Sequence, residues 1–161
     1  MKPRTLAAYH EAGHAVVAAV LYYHSPLVTI RCDGAGRHRF ESKRLAHEMA
    51  VESGYTPHPK VLAIMVDHAR EELLFGLAGP LAEHWIREGY KDWLEIDDLV
   101  DTNHNDLAAA RELANRYFPD WDDQDWWKLM QDLHALLEQN WRATVRVAKH
   151  LLRHGRIGGK K

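Results

Sequence analysis

The sequence predicts a mainly α domain, α+β in the strict sense, with one small β-hairpin. Three observations predict it. Apolar residues recur at three- and four-residue steps through several long stretches. One short β-branched run, Leu27-Val28-Thr29-Ile30, precedes a turn-forming Asp33-Gly34-Ala35-Gly36. Helix breakers, Ser25-Pro26, Pro57, Pro59 and Pro119, fall between the periodic stretches. A chain of 161 residues suits one domain, 1–161, with enough length for a real core.

The first helix is expected over Leu6 to Tyr23, where Tyr9, Gly13, Val16, Val20 and Tyr23 make an apolar stripe. The strand Leu27–Ile30 follows, with a return strand at Arg37 to Phe40. A hairpin this small needs a helix to pack on. A short helix is expected at Lys43 to Val51, then a loop marked by Gly54, Pro57 and Pro59. Val61 to Tyr90 reads as one long helix or two, with Val61, Ile64, Met65, His68, Leu73, Leu77, Leu81 and Trp85 on its apolar face. Gly76, Gly79 and Pro80 predict a kink or break there. The acidic stretch Asp92 to Asp101 is expected to be irregular. Thr102 or Asn103 is positioned to cap a helix running to about Tyr117. Asp122 or Asp123 is positioned to cap the last and longest helix, whose stripe runs from Trp126 to Leu152. The terminal Gly158-Gly159-Lys160-Lys161 reads as a frayed end.

The formal net charge is only −2, so overall charge does not point to nucleic acid. It is uneven: residues 92–132 hold 12 acids and 3 bases, and residues 133–161 hold 1 acid and 7 bases. A basic tail pairing with the acidic segment explains this without a polyanion. Cys32 is the only cysteine, so an internal disulfide is excluded and a reducing, cytoplasmic setting is expected. The longest apolar run, Ala12 to Tyr23, is shorter than the roughly 20 residues that span a bilayer, and it contains His14. No leader and no membrane contact are therefore expected. No phosphate loop of the G-x-x-x-x-G-K-[ST] type occurs. Trp121, Trp126 and Trp127 cluster before the last helix, either as packing or as a contact patch.

The chemistry concentrates in His10-Glu11-Ala12-Gly13-His14. Residues four apart lie one turn apart on one side of a helix, so His10 and His14 can hold one divalent ion. Glu11 is turned away from that axis but stays near the metal. It is placed to accept a proton from water rather than to bind the ion. A third ligand must come from elsewhere: Glu71, Glu72, Glu83, His104 and Asp106 are the candidates. The longer metzincin pattern is excluded, because it needs Gly and His where Val17 and Val20 stand.

Several stretches then line up with one family. Tyr9 to Val17 resembles the zinc helix of the FtsH-type ATP-dependent metalloproteases, and Val28-Thr29-Ile30 is similar to the strand that follows it there. Leu77-Ala78-Gly79-Pro80-Leu81-Ala82-Glu83 resembles the family's Leu-x-Gly-Arg-x-Ala-Glu helix, with Pro80 in place of Arg. Asn105-Asp106-Leu107 resembles the Asn-Asp-Leu start of the helix that supplies the third ligand. The stretch from Leu136 to Leu152 is like the closing helix. Between Arg37 and Pro59 the match is poor.

The resemblance implies a helical zincin-like fold and a stand-alone zinc metallopeptidase domain, without the ATPase module and membrane anchor of full-length members. It implies Zn2+ held by His10, His14 and Asp106, with Glu11 catalytic. Glu83 and Asn105 would orient ligands through hydrogen bonds. Val28, Thr29 and Ile30 would pair with an extended polypeptide substrate. A homo-oligomer or a separate ATPase partner stays open. The alternatives are a zinc-binding adaptor or regulator of the same fold without turnover, and a structural helical protein whose histidines merely pack.

Overall fold

The computed structural model describes residues 1–21, 27–31, 36–39, 48–49, 51–54, 56–89 and 105–158. Four long helices and a small sheet follow in the order α1 (Pro3–Val20), β1 (Leu27–Ile30), β2 (Gly36–Arg39), α2 (Pro59–Glu88), α3 (Asn105–Tyr117), α4 (Asp123–His154) and β3 (Arg156–Gly158). The chain is mainly α with a small antiparallel sheet, as the periodicity predicts. Residues 48–49 and 51–52 are helical, matching part of the short helix expected there. The acidic stretch 92–101 and the capping positions Thr102 and Asn103 lie outside the described residues.

Local chemistry explains most helix ends. α1 starts three residues before the expected Leu6, because Pro3 occupies the first helical position, where a missing N–H costs nothing. α2 uses the same device: Pro59 opens it and the His58 ring accepts from the Lys60 N–H. α4 begins with a capping box, in which the Asp122 carboxylate accepts from the Gln124 and Asp125 amides while Asp125 reaches back. It ends at Gly155, whose φ of +72° is the left-handed conformation that favours glycine.

That turn sends the chain into β3, which the sequence reading missed; Gly158 belongs to a strand rather than to a frayed end. Three residues without alternating apolar character offer no strand signal, and β3 exists because β1 supplies its hydrogen bonds. The sheet order is β2-β1-β3, with Val28 opposite His38 on one side and Ile157 on the other. Val28 and Ile30 point inward onto Ala8, Tyr9, Ala12, Ala148 and Leu151. Burying each such side chain is worth roughly 1.5–3 kcal/mol.

α1 lies between α2 and α4. The larger core joins Val17 to Leu73, Leu77, Leu81 and Trp85 of α2, Leu107 of α3, and Leu129, Leu133 and Leu137 of α4. Trp141 bridges the two cores, 5.9 Å from the Tyr9 ring and 5.3 Å from Trp85. Of the expected α2 face, Ile64 is exposed and Val61 and His68 are half-buried, whereas Met65, Leu73, Leu77, Leu81 and Trp85 are buried. Val20 of the α1 stripe is also exposed.

α2 runs unbroken through Gly76, Gly79 and Pro80, so the expected break does not occur. The close approach of the two helices depends on a glycine of α1 instead. A Cβ on Gly13 would lie 2.4 Å from the Ala78 carbonyl oxygen, so glycine is what lets α1 and α2 approach here. Trp121 and Trp126 pack against the core, and Phe118 stacks on Trp121 at 4.2 Å. Packing thus accounts for two members of the tryptophan cluster; Trp127 is exposed.

Candidate metal centre

Three helices deliver the site. His10 and His14 come from the buried middle of α1, one turn apart, with their rings 4.8 Å apart edge to face. Asp106 comes from the first turn of α3, where the helix dipole favours a carboxylate. Glu83 and the Phe75 carbonyl come from α2. His10 Nε2 and His14 Nε2 are 3.1 Å apart, and Asp106 Oδ2 lies 2.9 Å from the first and 3.4 Å from the second. Among the described residues these three form the group of His, Cys, Asp and Glu side chains able to hold a metal ion.

The partners on the far sides of the rings decide their tautomers. The Phe75 carbonyl oxygen can only accept, so His14 Nδ1, 2.8 Å away, carries the proton and donates it. His14 Nε2 is therefore a lone pair. His10 Nδ1 faces Glu83 Oε2 at 3.2 Å, while Arg87 donates to the other oxygen, Oε1, so Oε2 is left as an acceptor for the ring. His10 Nε2 is thus also directed inward as a lone pair in the neutral ring. Two lone pairs and a carboxylate oxygen converge on one point, and such a point demands a cation or a proton.

The protein without metal answers with a proton. Burial opposes charge on His10, but the carboxylates of Asp106, Glu83 and Glu11 outweigh it and push its pKa up to about 9. Burial likewise opposes charge on Asp106, yet the two histidines hold its carboxyl well below the usual range.

The donor set also suits zinc. Imidazole and carboxylate are ordinary zinc ligands, and two donors about 2.0–2.1 Å from one tetrahedral ion lie about 3.3–3.4 Å apart. Each observed edge is within about 0.5 Å of that figure.

Glycines shape the site from outside. A Cβ on Gly79 would come within 2.3 Å of His14 Nε2, so α2 makes room for the imidazole only at a glycine. A Cβ on Gly36 would lie 2.2 Å from Glu11 Oε1, so the start of β2 rests directly on the Glu11 carboxylate. Glu11 is 4% exposed and sits between the histidine face of α1 and that strand. Neither Gly36 nor Gly79 was singled out as a site residue from sequence, and neither was Phe75 or Arg87. The one available signal was Gly79 inside the Leu77–Glu83 stretch.

Of the expected site residues, the structure brings together His10, His14, Asp106, Glu83 and Glu11. Asn105 is exposed at the first position of α3 and makes no hydrogen bond to the site among the described residues. Of the rival ligands, Glu71 pairs with His68 along α2 at 3.3 Å, Glu72 is outside the metal-capable group, and His104 lies outside the described residues. Val28, Thr29 and Ile30 require a correction. β1 is the middle strand, with β2 and β3 paired on its two sides, and Val28 and Ile30 are core residues. An incoming strand finds no free edge there. The edge beside Glu11 belongs to β2.

The sequence matches no model of a known protein family, and a search of curated proteins finds no match. No helix among the described residues is long and apolar enough to cross a membrane.

Proposed function

We propose that the chain is a zinc-dependent metallopeptidase of the FtsH type, acting on extended, unstructured polypeptide. One observation carries this reading: two imidazole Nε2 atoms and a carboxylate oxygen converge within 3.4 Å of one another, and a second carboxylate, Glu11, flanks them. His10, His14 and Asp106 would hold the ion. Bound there, zinc supplies Lewis-acid chemistry, polarising a carbonyl and lowering the pKa of a water towards about 7.

The remaining work falls to side chains. Glu11 takes the proton from the attacking water and passes it to the leaving amine, so the nucleophile forms and the amine departs neutral. Burial against Gly36 removes competing water from one side of its carboxylate and limits its rotamers. The Phe75 carbonyl receives the His14 Nδ1–H, and the Glu83 carboxylate pairs with His10 Nδ1 at 3.2 Å, so both rings turn Nε2 inward. An extended chain paired on the outer edge of β2, unpaired among the described residues, would run past Glu11.

The test is elemental analysis of the purified protein together with digestion of casein, with and without a chelator. About one zinc per chain and chelator-sensitive cleavage are expected. Absence of stoichiometric metal after zinc loading would end the proposal.

A further inference from the structure

The β2 edge carries a charge pattern that the zinc chemistry does not use. Thr29, in the centre of the sheet, is opposite Arg37 on β2 and opposite Arg156 on β3. Strand alternation puts Gly36 inward against Glu11 and Arg37 on the opposite face. Arg31 continues that alternation just past β1. Arg31, Arg37 and Arg156 are all exposed, and none makes an ion pair among the described residues. The solvent face of a three-stranded sheet beside the candidate site is thus a row of guanidinium groups with no ion pair among the described residues.

We propose that this face selects acidic side chains in the substrate, Arg37 being the specificity-determining residue; the inference rests on the peptidase reading above. A segment that adds to the outer edge of β2 continues the pleat, so its alternate side chains fall on the Arg37 face. Directly opposed residues on neighbouring strands have Cβ atoms about 4.5–5.5 Å apart, close enough for a carboxylate to meet a guanidinium. Arg156 lies two strands further from the edge and adds field rather than contact. Glu11 is on the other face, so it does not neutralise these arginines or repel an acid placed over them. Nucleic acid fits less well. Single-strand binding combines cationic grooves with aromatic stacking, and Leu27–Ile30, Gly36–Arg39 and Arg156–Gly158 contain no Phe, Tyr or Trp.

The experiment compares unstructured peptides of equal length carrying alternating Glu, Gln or Lys around a common cleavable core. With zinc-loaded protein at low salt, kcat/KM for the Glu series should exceed that for the Gln series by about 1.5- to 5-fold. The preference should shrink as salt rises. Arg37→Glu should invert the order, favouring Lys; arginines that only kept other strands away from the edge would give no preference to invert. If Arg37→Glu does not fold, Arg37→Gln replaces it, and the Glu-to-Gln ratio should fall towards one.

Binding of the same peptides to Glu11→Gln, read by fluorescence anisotropy, separates the two proposals. Acid-selective binding with no cleavage of any series by the wild type would sink the peptidase reading and keep the acidic selection. Equal cleavage of all three series, or an unchanged order in Arg37→Glu, would overturn the selection and keep the peptidase. A single-stranded oligonucleotide that displaces the Glu peptide at lower concentration than the peptide itself would also overturn it.

Discussion

The two histidines of one helical turn sit in opposite kinds of environment. His14 is on the floor of the site, fully buried, its Nδ1 held by a backbone carbonyl and its ring lodged against Gly79. His10 is on the rim, its ring between Asp106 and Glu83, with Arg87 behind Glu83. Packing fixes the floor and charge fixes the rim. The floor should therefore respond to changes of volume, and the rim to changes of charge and pH.

Removal of either ring is the coarsest way to probe that contrast. His14→Ala and His10→Ala should each lose stoichiometric zinc, measured by elemental analysis. His14→Ala should also lower stability in chelator, because it empties a buried position. His10→Ala in chelator should cost stability chiefly at low pH, where the protonated ring balances Asp106 and the buried Glu83, and much less near pH 9. Losses with the same pH dependence in the two variants would dissolve the distinction between floor and rim.

Glu11→Gln should lower kcat by about 10²–10⁴ while keeping zinc, because the amide has the size of the acid and cannot take a proton. Near-normal turnover in that variant would remove Glu11 from its role. Smaller again is Glu83→Gln, expected to weaken zinc binding about 10- to 100-fold in a chelator competition. An unchanged zinc affinity would mean that Glu83 does not orient His10.

On the floor, Gly79→Ala sharpens the comparison because helix propensity predicts the opposite sign. Alanine in a helix interior is favoured by about 1 kcal/mol over glycine. Here the added methyl must displace His14, and overpacking of that kind costs roughly 1–3 kcal/mol. Urea unfolding should show a net loss of stability together with weaker zinc binding. A stabilised Gly79→Ala with normal zinc would show that the imidazole is not wedged against α2.

The mildest probe is pH, and it reads the rim alone. In metal-free protein the pKa of His10 rises from 6.5 to about 9, so its protonated form stabilises the fold. That contribution is fully present below about 6.5 and is lost as pH rises to about 9. Zinc must displace the same proton, so zinc affinity should increase across that window while metal-free stability falls. Urea midpoints at three pH values, with zinc and with chelator, test both slopes. Slopes of the same sign would contradict the assignment of the proton to His10.

What could be read in advance divides along sequence separation. His10 and His14 were legible because a four-residue step places side chains together in any helix. The Asp122 cap and the stripe of α4 were legible for the same local reason. Asp106 was reached through the resemblance of Asn105-Asp106-Leu107 to a known motif, not through geometry; it lies 96 residues from His10. The same motif also suggested Asn105, which the helix start leaves exposed. Composition places β1 beside a return strand and carries no signal for β3, so residue types alone do not show that β1 is the middle strand.

The sequence by itself determined the helices, the hairpin and the pair of imidazoles on one face, because each follows from periodicities of a few residues. Tertiary structure alone decided which carboxylates surround His10, that a carbonyl of α2 holds His14, and that β2 rather than β1 presents an edge beside Glu11. These depend on how α2 meets α1 at Gly13 and Gly79, and on β3 returning to pair with β1. Contacts across such distances in the chain are selected by packing and hydrogen-bond pairing of whole elements, and no local pattern of residue types encodes them.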